Sequence, residues 1–347
     1  MAVSARLQAA LEHQISAGAP GAVARLEVPR ARLVWAGSAG RLVQGQDRSV
    51  RPDDAFRAAS VTKSVTAAVA VRLAKEQRLA LDGSLGDQLG SELLERWRSL
   101  ADLARVTPRQ LLAHTSGLPD YFHDQAFAAR VRSEPSRAWH PVELVDHIAA
   151  HGTSNFRPGE GFGYSDTGYV VLGVLLEQVT GKPLHALYRE LVFDPLGMHT
   201  TWLEGQEAAR KPGIAHHYSG ELDMTKLSPT IDWAGGGLAT TTPDLTRFVR
   251  GLWSGLIVDS DGLEQMTRWT AGASFPPGHA VRYDDYGLGI GRVVVEGVEL
   301  FGHTGFIGAF AFHAPQQDAV VVGTHNQSEV DRWPLVEALC RELRRAI

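Results

Sequence analysis

Short apolar strands crowd the two ends of this 347-residue chain and are nearly absent between them. Near the start, 22–28 and 32–37 are rich in Val and Leu and read as strands separated by Pro29-Arg30. The style returns only at 286–295, 298–301, 309–313 and 319–324, where Gly and polar turns join the segments. Neither end holds enough strand to close a core alone, so the two ends are expected to pair into one antiparallel sheet. Helices close both termini. Val3, Leu7, Leu11 and Ile15 form one row at the start, and 331–346 place Leu335, Val336, Leu339 and Leu343 on one face. The fold class expected is α+β: an antiparallel sheet built from both chain ends, flanked by terminal helices, with a mainly helical subdomain inserted. The sheet subdomain takes approximately 1–56 and 275–347, the helical region approximately 57–274, and 1–347 make one domain.

The middle carries the helix signals. Val65, Val69 and Leu73 share one face of a helix over 61–77. Thr107-Pro108 and Thr242-Pro243 each set a capping threonine before a proline, which suits a helix start. Two further helices are expected over 140–150 and 167–180. No repeat or low-complexity tract interrupts the chain.

Composition removes several functions. With 34 basic and 39 acidic residues the net charge is −5, and no basic block suggests nucleic acid. The single cysteine, Cys340, rules out an intrachain disulfide or a thiolate cluster. There is no His-Glu-x-x-His zinc signature, and adjacent His216 and His217 read as surface residues rather than ligands. No apolar run approaches the roughly 18 residues of a membrane span, and the start lacks the continuous apolar core of a secretory signal. A cytoplasmic protein without cofactor or metal is the expectation.

Three stretches carry candidate chemistry. In Ser60-Val61-Thr62-Lys63 the serine and lysine stand three apart at a helix entry, on one face and within reach of each other. Unpaired N–H groups at a helix start favour the negative charge a nucleophilic serine develops. The chain has only five lysines, and only Lys63 follows a serine at this spacing. The same pair also fits a capping serine with a solvated lysine beyond it. Tyr164 lies in the glycine-rich loop 157–166 that leads into a helix, where a phenol can be aimed at a cleft to exchange a proton. In isolation it reads better as a packed ring whose hydroxyl bonds a backbone carbonyl. Phe301-Gly302-His303-Thr304-Gly305-Phe306 sits between two strands, and its glycines permit close approach of a ligand to an edge strand. Alone, it is a turn with a partly exposed histidine. No serine occupies Gly-x-Ser-x-Gly; Ser38 comes nearest, with Ala36 at the first position.

Together, Ser60-Val61-Thr62-Lys63, Tyr164-Ser165-Asp166 and His303-Thr304-Gly305 resemble the three elements of the serine β-lactamase and penicillin-binding-protein superfamily. Leu111-Leu112-Ala113-His114-Thr115-Ser116-Gly117-Leu118, Pro158-Gly159-Glu160 and 235–245 are similar too, so the likeness spans nearly the whole chain. It is closest to the class C β-lactamase-like branch, with its D-alanyl-D-alanine carboxypeptidases, D-amino-acid amidases and aminopeptidases, and esterases. The resemblance implies that Ser60 is acylated and that Lys63, partly neutral through desolvation, shares the proton traffic. It implies that Tyr164 serves as base and acid, and that the N–H groups of Ser60 and Phe306 form an oxyanion hole. His303, Thr304 and Gly305 are then expected to line the cleft.

Two positions depart from the family pattern. Asp166 stands where asparagine is usual, so it can only accept hydrogen bonds; it is expected to hold Lys63 charged or attract a substrate cation. His303 replaces lysine and pulls less on a substrate carboxylate. The function implied is a serine hydrolase of small esters or amides. The alternatives are a D-alanyl-D-alanine carboxypeptidase, D-amino-acid peptidase or β-lactamase, acting on short D-peptides or lactams, and a catalytically weak ligand-binding relative.

Overall fold

The computed structural model describes residues 2–100, 102–273 and 282–346. Seven strands form one sheet: β1 (Gly21–Val28), β2 (Leu33–Gly40), β3 (Asp285–Tyr286), β4 (Gly291–Val295), β5 (Val298–Thr304), β6 (Phe310–Ala314) and β7 (Ala319–Thr324). Their order is β2-β1-β7-β6-β5-β4-β3, and the described pairings are antiparallel. The two chain ends meet where β1 pairs with β7, Val23 opposite Thr324. The expected boundary at 275 lies outside the described residues.

Both faces of the sheet are covered, which explains why β7 is apolar at every turn of the pleat. Phe310, Phe312 and Val321 face α1 (Val3–Ser16) and the C-terminal helix (Trp333–Ala346), packing with Leu7, Leu11, Leu335 and Leu339. Ala309, Ala311, Val320 and Val322 face the helical region. There they meet α2 (Thr62–Lys75), which buries Val65, Val69 and Leu73, and the helix Thr242–Trp253, which buries Leu245, Phe248 and Val249. The helix Thr242–Trp253 is the one that lies directly on β6 and β7. Each fully buried Leu or Val contributes roughly 1.5–3 kcal/mol over an exposed one.

Several expected boundaries shift. The strand expected over 286–295 is two strands, because a turn intervenes: Gly287 N–H donates to Ile290 O, and Gly289 takes φ +67°. The 286–295 reading missed a glycine turn inside an apolar run. The helix Thr242–Trp253 is capped by Thr241, whose side chain accepts from Asp244 N–H, rather than by Thr242. Thr107 forms a full capping box with Gln110, as a threonine before proline suggests. Among the described residues, no helix is long and apolar enough to cross a membrane.

Candidate active site

Ser60 sits in a single 3-10 turn, Ala59–Val61, that feeds directly into α2. Ala59 holds φ +46°, a left-handed value that L side chains rarely adopt, so the chain bends sharply just before the serine. The bend is pinned from outside: Ala58 N–H donates to Leu238 O at 2.8 Å, and Leu238 N–H to Thr62 Oγ1 at 3.2 Å. Ser60 stays partly exposed, whereas Lys63, one turn on, is fully buried.

Lys63 Nζ donates to Ser60 Oγ at 3.1 Å, to Gly235 O at 2.9 Å and to the Asp166 carboxylate. Three acceptors take up the three N–H groups of an ammonium. Burial works against that charge, but Asp166 and Asp232 outweigh it and raise the lysine pKa above its ordinary value. The expectation of a partly neutral lysine therefore fails in the resting site. Desolvation is present, but two carboxylates overrule it.

Tyr164 comes from the loop before α3 (Asp166–Thr180), whose N-cap is Ser165. The tyrosine is partly exposed while its hydroxyl is buried, and its ring lies 5.0 Å from Lys63 Nζ. Burial, then the Asp166 charge, push the phenol pKa well above 10, while a hydrogen bond with Ser60 opposes them. The resting site thus holds a neutral phenol and a charged amine on either side of the serine.

Two carboxylates were not foreseen. Asp232 approaches Asp166 and Lys63 so closely that a Cβ on Gly235 would lie 2.4 Å from Asp232 Oδ1, 2.9 Å from Asp166 Oδ1 and 3.3 Å from Lys63 Nζ. A Cβ on Gly236 would lie 1.7 Å from Asp232 Oδ2. The glycine run at 235–237 makes room for that carboxylate, and it was the one visible signal of it. Buried Asp120 caps the turn Tyr121–His123 by accepting from Phe122 N–H. Burial, then the Asp166 charge, push Asp120 up to about 7. Among the described residues, no group of three His, Cys, Asp or Glu is arranged to hold a metal.

The sheet side of the site carries a neutral imidazole, His303, and one buried cation behind it, Arg332. His303 is fully buried, so it does not line the cleft as expected. Its Nδ1–H donates to Thr304 O at 2.7 Å, and Tyr286 O–H donates to its Nε2 at 2.9 Å. Burial, then the Lys63 charge, pull its pKa down to about 3. Thr304 is buried as well, with its N–H donating to Tyr283 Oη at 2.6 Å. β5 is not an edge strand: it pairs with β6 through Thr304 and with β4 only as far as Gly302. Gly305 must be glycine, since a Cβ there would stand 2.4 Å from Ala58 O and 3.0 Å from Ala59 Cβ. That contact sets the 305–308 turn against the Ser60 turn. Phe306 is exposed at its tip, and among the described residues no backbone acceptor takes its N–H. Arg332, buried behind the turn, donates to Gly305 O at 2.7 Å and Ala309 O at 3.3 Å. Away from the site, His217 is buried rather than on the surface, and burial first pulls its pKa down to about 3.

A sheet assembled from both chain ends, with a Ser-x-x-Lys turn, a tyrosine loop and a His-Thr-Gly strand converging beside it, defines a β-lactamase/transpeptidase-like protein. The chain belongs to the beta-lactamase family, whose model matches residues 7–336. It is similar to the solved structure of a D-stereospecific amidohydrolase from Streptomyces sp., with a TM-score of 0.84 and 30% identity over 96% of this chain and 98% of that one. The esterase EstB of Burkholderia gladioli is 32% identical over 219 residues, 60% of this chain and 53% of the esterase. A D-aminopeptidase of Cereibacter sphaeroides is 27% identical over 232 residues, 64% of this chain and 43% of that protein. The chain spans about half the length of the curated relatives it matches.

Proposed function

We propose that this protein is a serine hydrolase that cleaves small amides or esters through an acyl-enzyme on Ser60. The observation that carries the reading is the contact set at the serine: Lys63 Nζ at 3.1 Å from Ser60 Oγ, with the Tyr164 ring 5.0 Å from the same Nζ. In the mechanism proposed, Ser60 Oγ attacks the substrate carbonyl carbon and passes its proton to the Lys63–Tyr164 pair. The N–H groups of Ser60 and Phe306 stabilise the oxyanion, and loss of one such donor typically costs about 3 kcal/mol. As the tetrahedral intermediate collapses, the C–N or C–O bond breaks and the pair returns the proton to the leaving amine or alcohol. Water then repeats the sequence on the acyl-enzyme, with the same pair first as base and then as acid.

The pair holds one proton too many at rest, since Lys63 is charged and Tyr164 neutral. The active form is the one that has lost a proton from the coupled pair, so kcat/KM is expected to rise toward alkaline pH. Lys63 is paired with Asp166, and His303, which stands where the family pattern has lysine, is neutral at working pH. Such a site gives little pull on the carboxylate that penicillins and peptidoglycan stems present. This supports uncharged esters and amides, or aminoacyl compounds with a free amine, over the β-lactamase and carboxypeptidase alternatives. The similarity to a D-stereospecific amidohydrolase supports trying D-aminoacyl amides first.

A panel of nitrophenyl esters, D- and L-aminoacyl anilides and a chromogenic cephalosporin tests the reading, with intact-mass detection of the adduct. The expected result is a transient acyl adduct on the wild type, none on Ser60→Ala, and little cephalosporin turnover. Full ester hydrolysis by Ser60→Ala overturns the nucleophile; cephalosporin turnover rivalling that of esters overturns the substrate preference.

A further inference from the structure

We propose that His114 is a positioning residue that holds Tyr164 in its working orientation. The inference rests on the Ser60–Lys63–Tyr164 reading above and adds a residue to it. His114 grips the tyrosine at three points. Its carbonyl accepts from Gly163 N–H at 2.9 Å, and its Nδ1 accepts from Ser165 N–H at 3.1 Å, so the residues on both sides of Tyr164 are tied to one residue. Its ring lies against the Tyr164 ring, with centroids 4.1 Å apart and planes tilted by 33°.

The local structure is costly, which argues that it is kept for a reason. His114 takes φ +56°, a left-handed conformation disfavoured for any residue with a Cβ. Its side chain is buried, and among the described residues Nε2 has no hydrogen-bond partner. An orphaned buried N–H is itself unfavourable. A phenylalanine would give the ring contact without that penalty, but only an imidazole also offers Nδ1 to the Ser165 N–H. The stretch that follows is anchored to the same loop. Asn155 N–H donates to Gly117 O at 2.9 Å and Gly159 N–H to Thr115 O at 2.8 Å. Gly117 sits so close that a Cβ would lie 2.0 Å from Phe156 O. Segment 114–117 is therefore a rail along which the tyrosine loop is laid, and His114 is the end of the rail at the catalytic residue.

The experiment compares His114→Ala and His114→Asn with the wild type. Asparagine tolerates a left-handed backbone and places an amide oxygen where Nδ1 stood, so it keeps the hydrogen bond and loses the ring. His114→Ala is expected to lose up to about 100-fold in kcat with KM nearly unchanged, the scale of misplacing a catalytic group by about 1 Å. His114→Asn is expected to recover about tenfold of that loss, as the restored tether to Ser165 requires. In both variants water reaches the uncovered phenol face, so the ascending limb of kcat/KM against pH moves to lower pH. Lys63, Tyr169, Tyr286 and His303 remain in place around the vacated ring, and a merely structural defect leaves the limb where it was. Wild-type kcat in His114→Ala, an Asn variant no better than Ala, or an unmoved limb each overturns the proposal. Should His114→Ala fail to fold, His114→Asn decides alone: wild-type kcat with an unmoved limb overturns the proposal. Ser60→Ala separates the two levels, because its retained activity would defeat the hydrolase reading itself.

Discussion

Lys63 and His303 are both fully buried, one on each side of the site, and they settle into opposite protonation states. Lys63 stands on the helical side among Asp166 and Asp232 and keeps its charge against the pull of burial. His303 stands on the sheet against Tyr286, Thr304 and Tyr283, with no carboxylate as partner, and burial, reinforced by the Lys63 and Arg332 charges, takes its pKa down to about 3. Burial sets the penalty for carrying a charge, and the neighbours decide whether it is met. The site is thus divided: Lys63 and its carboxylates stand on the helical side, while the sheet side supplies shape, register and backbone donors in front of one buried cation, Arg332.

The sharpest way to break this contrast is to remove the cation from the charged half. Lys63→Met is expected to lower kcat/KM by roughly 10^3-fold or more, the scale of losing positioned acid–base catalysis. It also strands Asp166 and Asp232, and breaking a buried ion pair from one side costs about 3–5 kcal/mol. Denaturant unfolding should show that loss, and a Lys63→Met/Asp166→Asn double variant should regain part of it. Unfolding at the wild-type midpoint would mean that the carboxylates do not depend on the lysine. Asp166→Asn is a milder change to the same half. The amide oxygen still accepts from Nζ, but the charge holding the proton on Lys63 is gone, so the lysine pKa falls. The ascending limb of kcat/KM is expected to move about 1–3 units toward lower pH. A limb that stays in place would detach Asp166 from the proton balance at Ser60.

The two halves also differ in how far the sequence discloses them. Ser60 and Lys63 lie three apart, so their contact follows from helix geometry alone, and the glycine-rich loop before α3 marks Tyr164 as an aimed side chain. The sheet was legible because Phe310 and Phe312 alternate with Ala309 and Ala311, one set to each face. Asp120 and Asp232 were not legible. Each converges on Lys63 from a distant segment with no local period to betray it, and the glycines that admit Asp232 read only as a family-like stretch. His303 was misjudged for a related reason. Flanking glycines suggested an open edge, yet exposure is set by which strands lie alongside, and β6 and the aromatic side chains Tyr283 and Tyr286 cover it.

For the buried neutral histidines, one on the sheet and one away from the site, the contrast predicts acid sensitivity rather than a change in chemistry. His303 and His217, with pKa values lowered to about 3, are neutral in the folded protein. In the unfolded chain they protonate near pH 6.5, so the stability they contribute is present above that pH and is lost as pH falls toward 3. Each accounts for about 1.4 kcal/mol per pH unit below 6.5. In His303→Gln, the slope of unfolding free energy against pH between 4 and 6 should be shallower by that amount. The position of the kcat/KM limb at neutral and alkaline pH should not move, because the ring carries no charge there. A shifted limb would show that His303 takes part in the proton balance and that the two halves are not separate.

At Asp120 the rule that partners decide can be tested on an anion, through stability alone. Asp120 is buried beside Asp166, and its pKa stands at about 7 instead of near 4. Between those values the folded protein keeps a proton that the unfolded chain has released. Stability therefore falls as pH rises from about 4 through 7, the reverse of the histidine case. Asparagine is neutral throughout and retains an oxygen to cap Phe122 N–H. Asp120→Asn is expected to match the wild type near pH 4 and to gain on it by about 1.4 kcal/mol per pH unit between 4 and 7, up to about 4 kcal/mol at pH 8. The Lys63 charge already lowers the Asp120 pKa, so this gain is what remains after that pairing. If the variant is instead less stable at pH 8, the Asp120 carboxylate is paired well enough to be a net asset. Lys63 would then answer to three carboxylates rather than two.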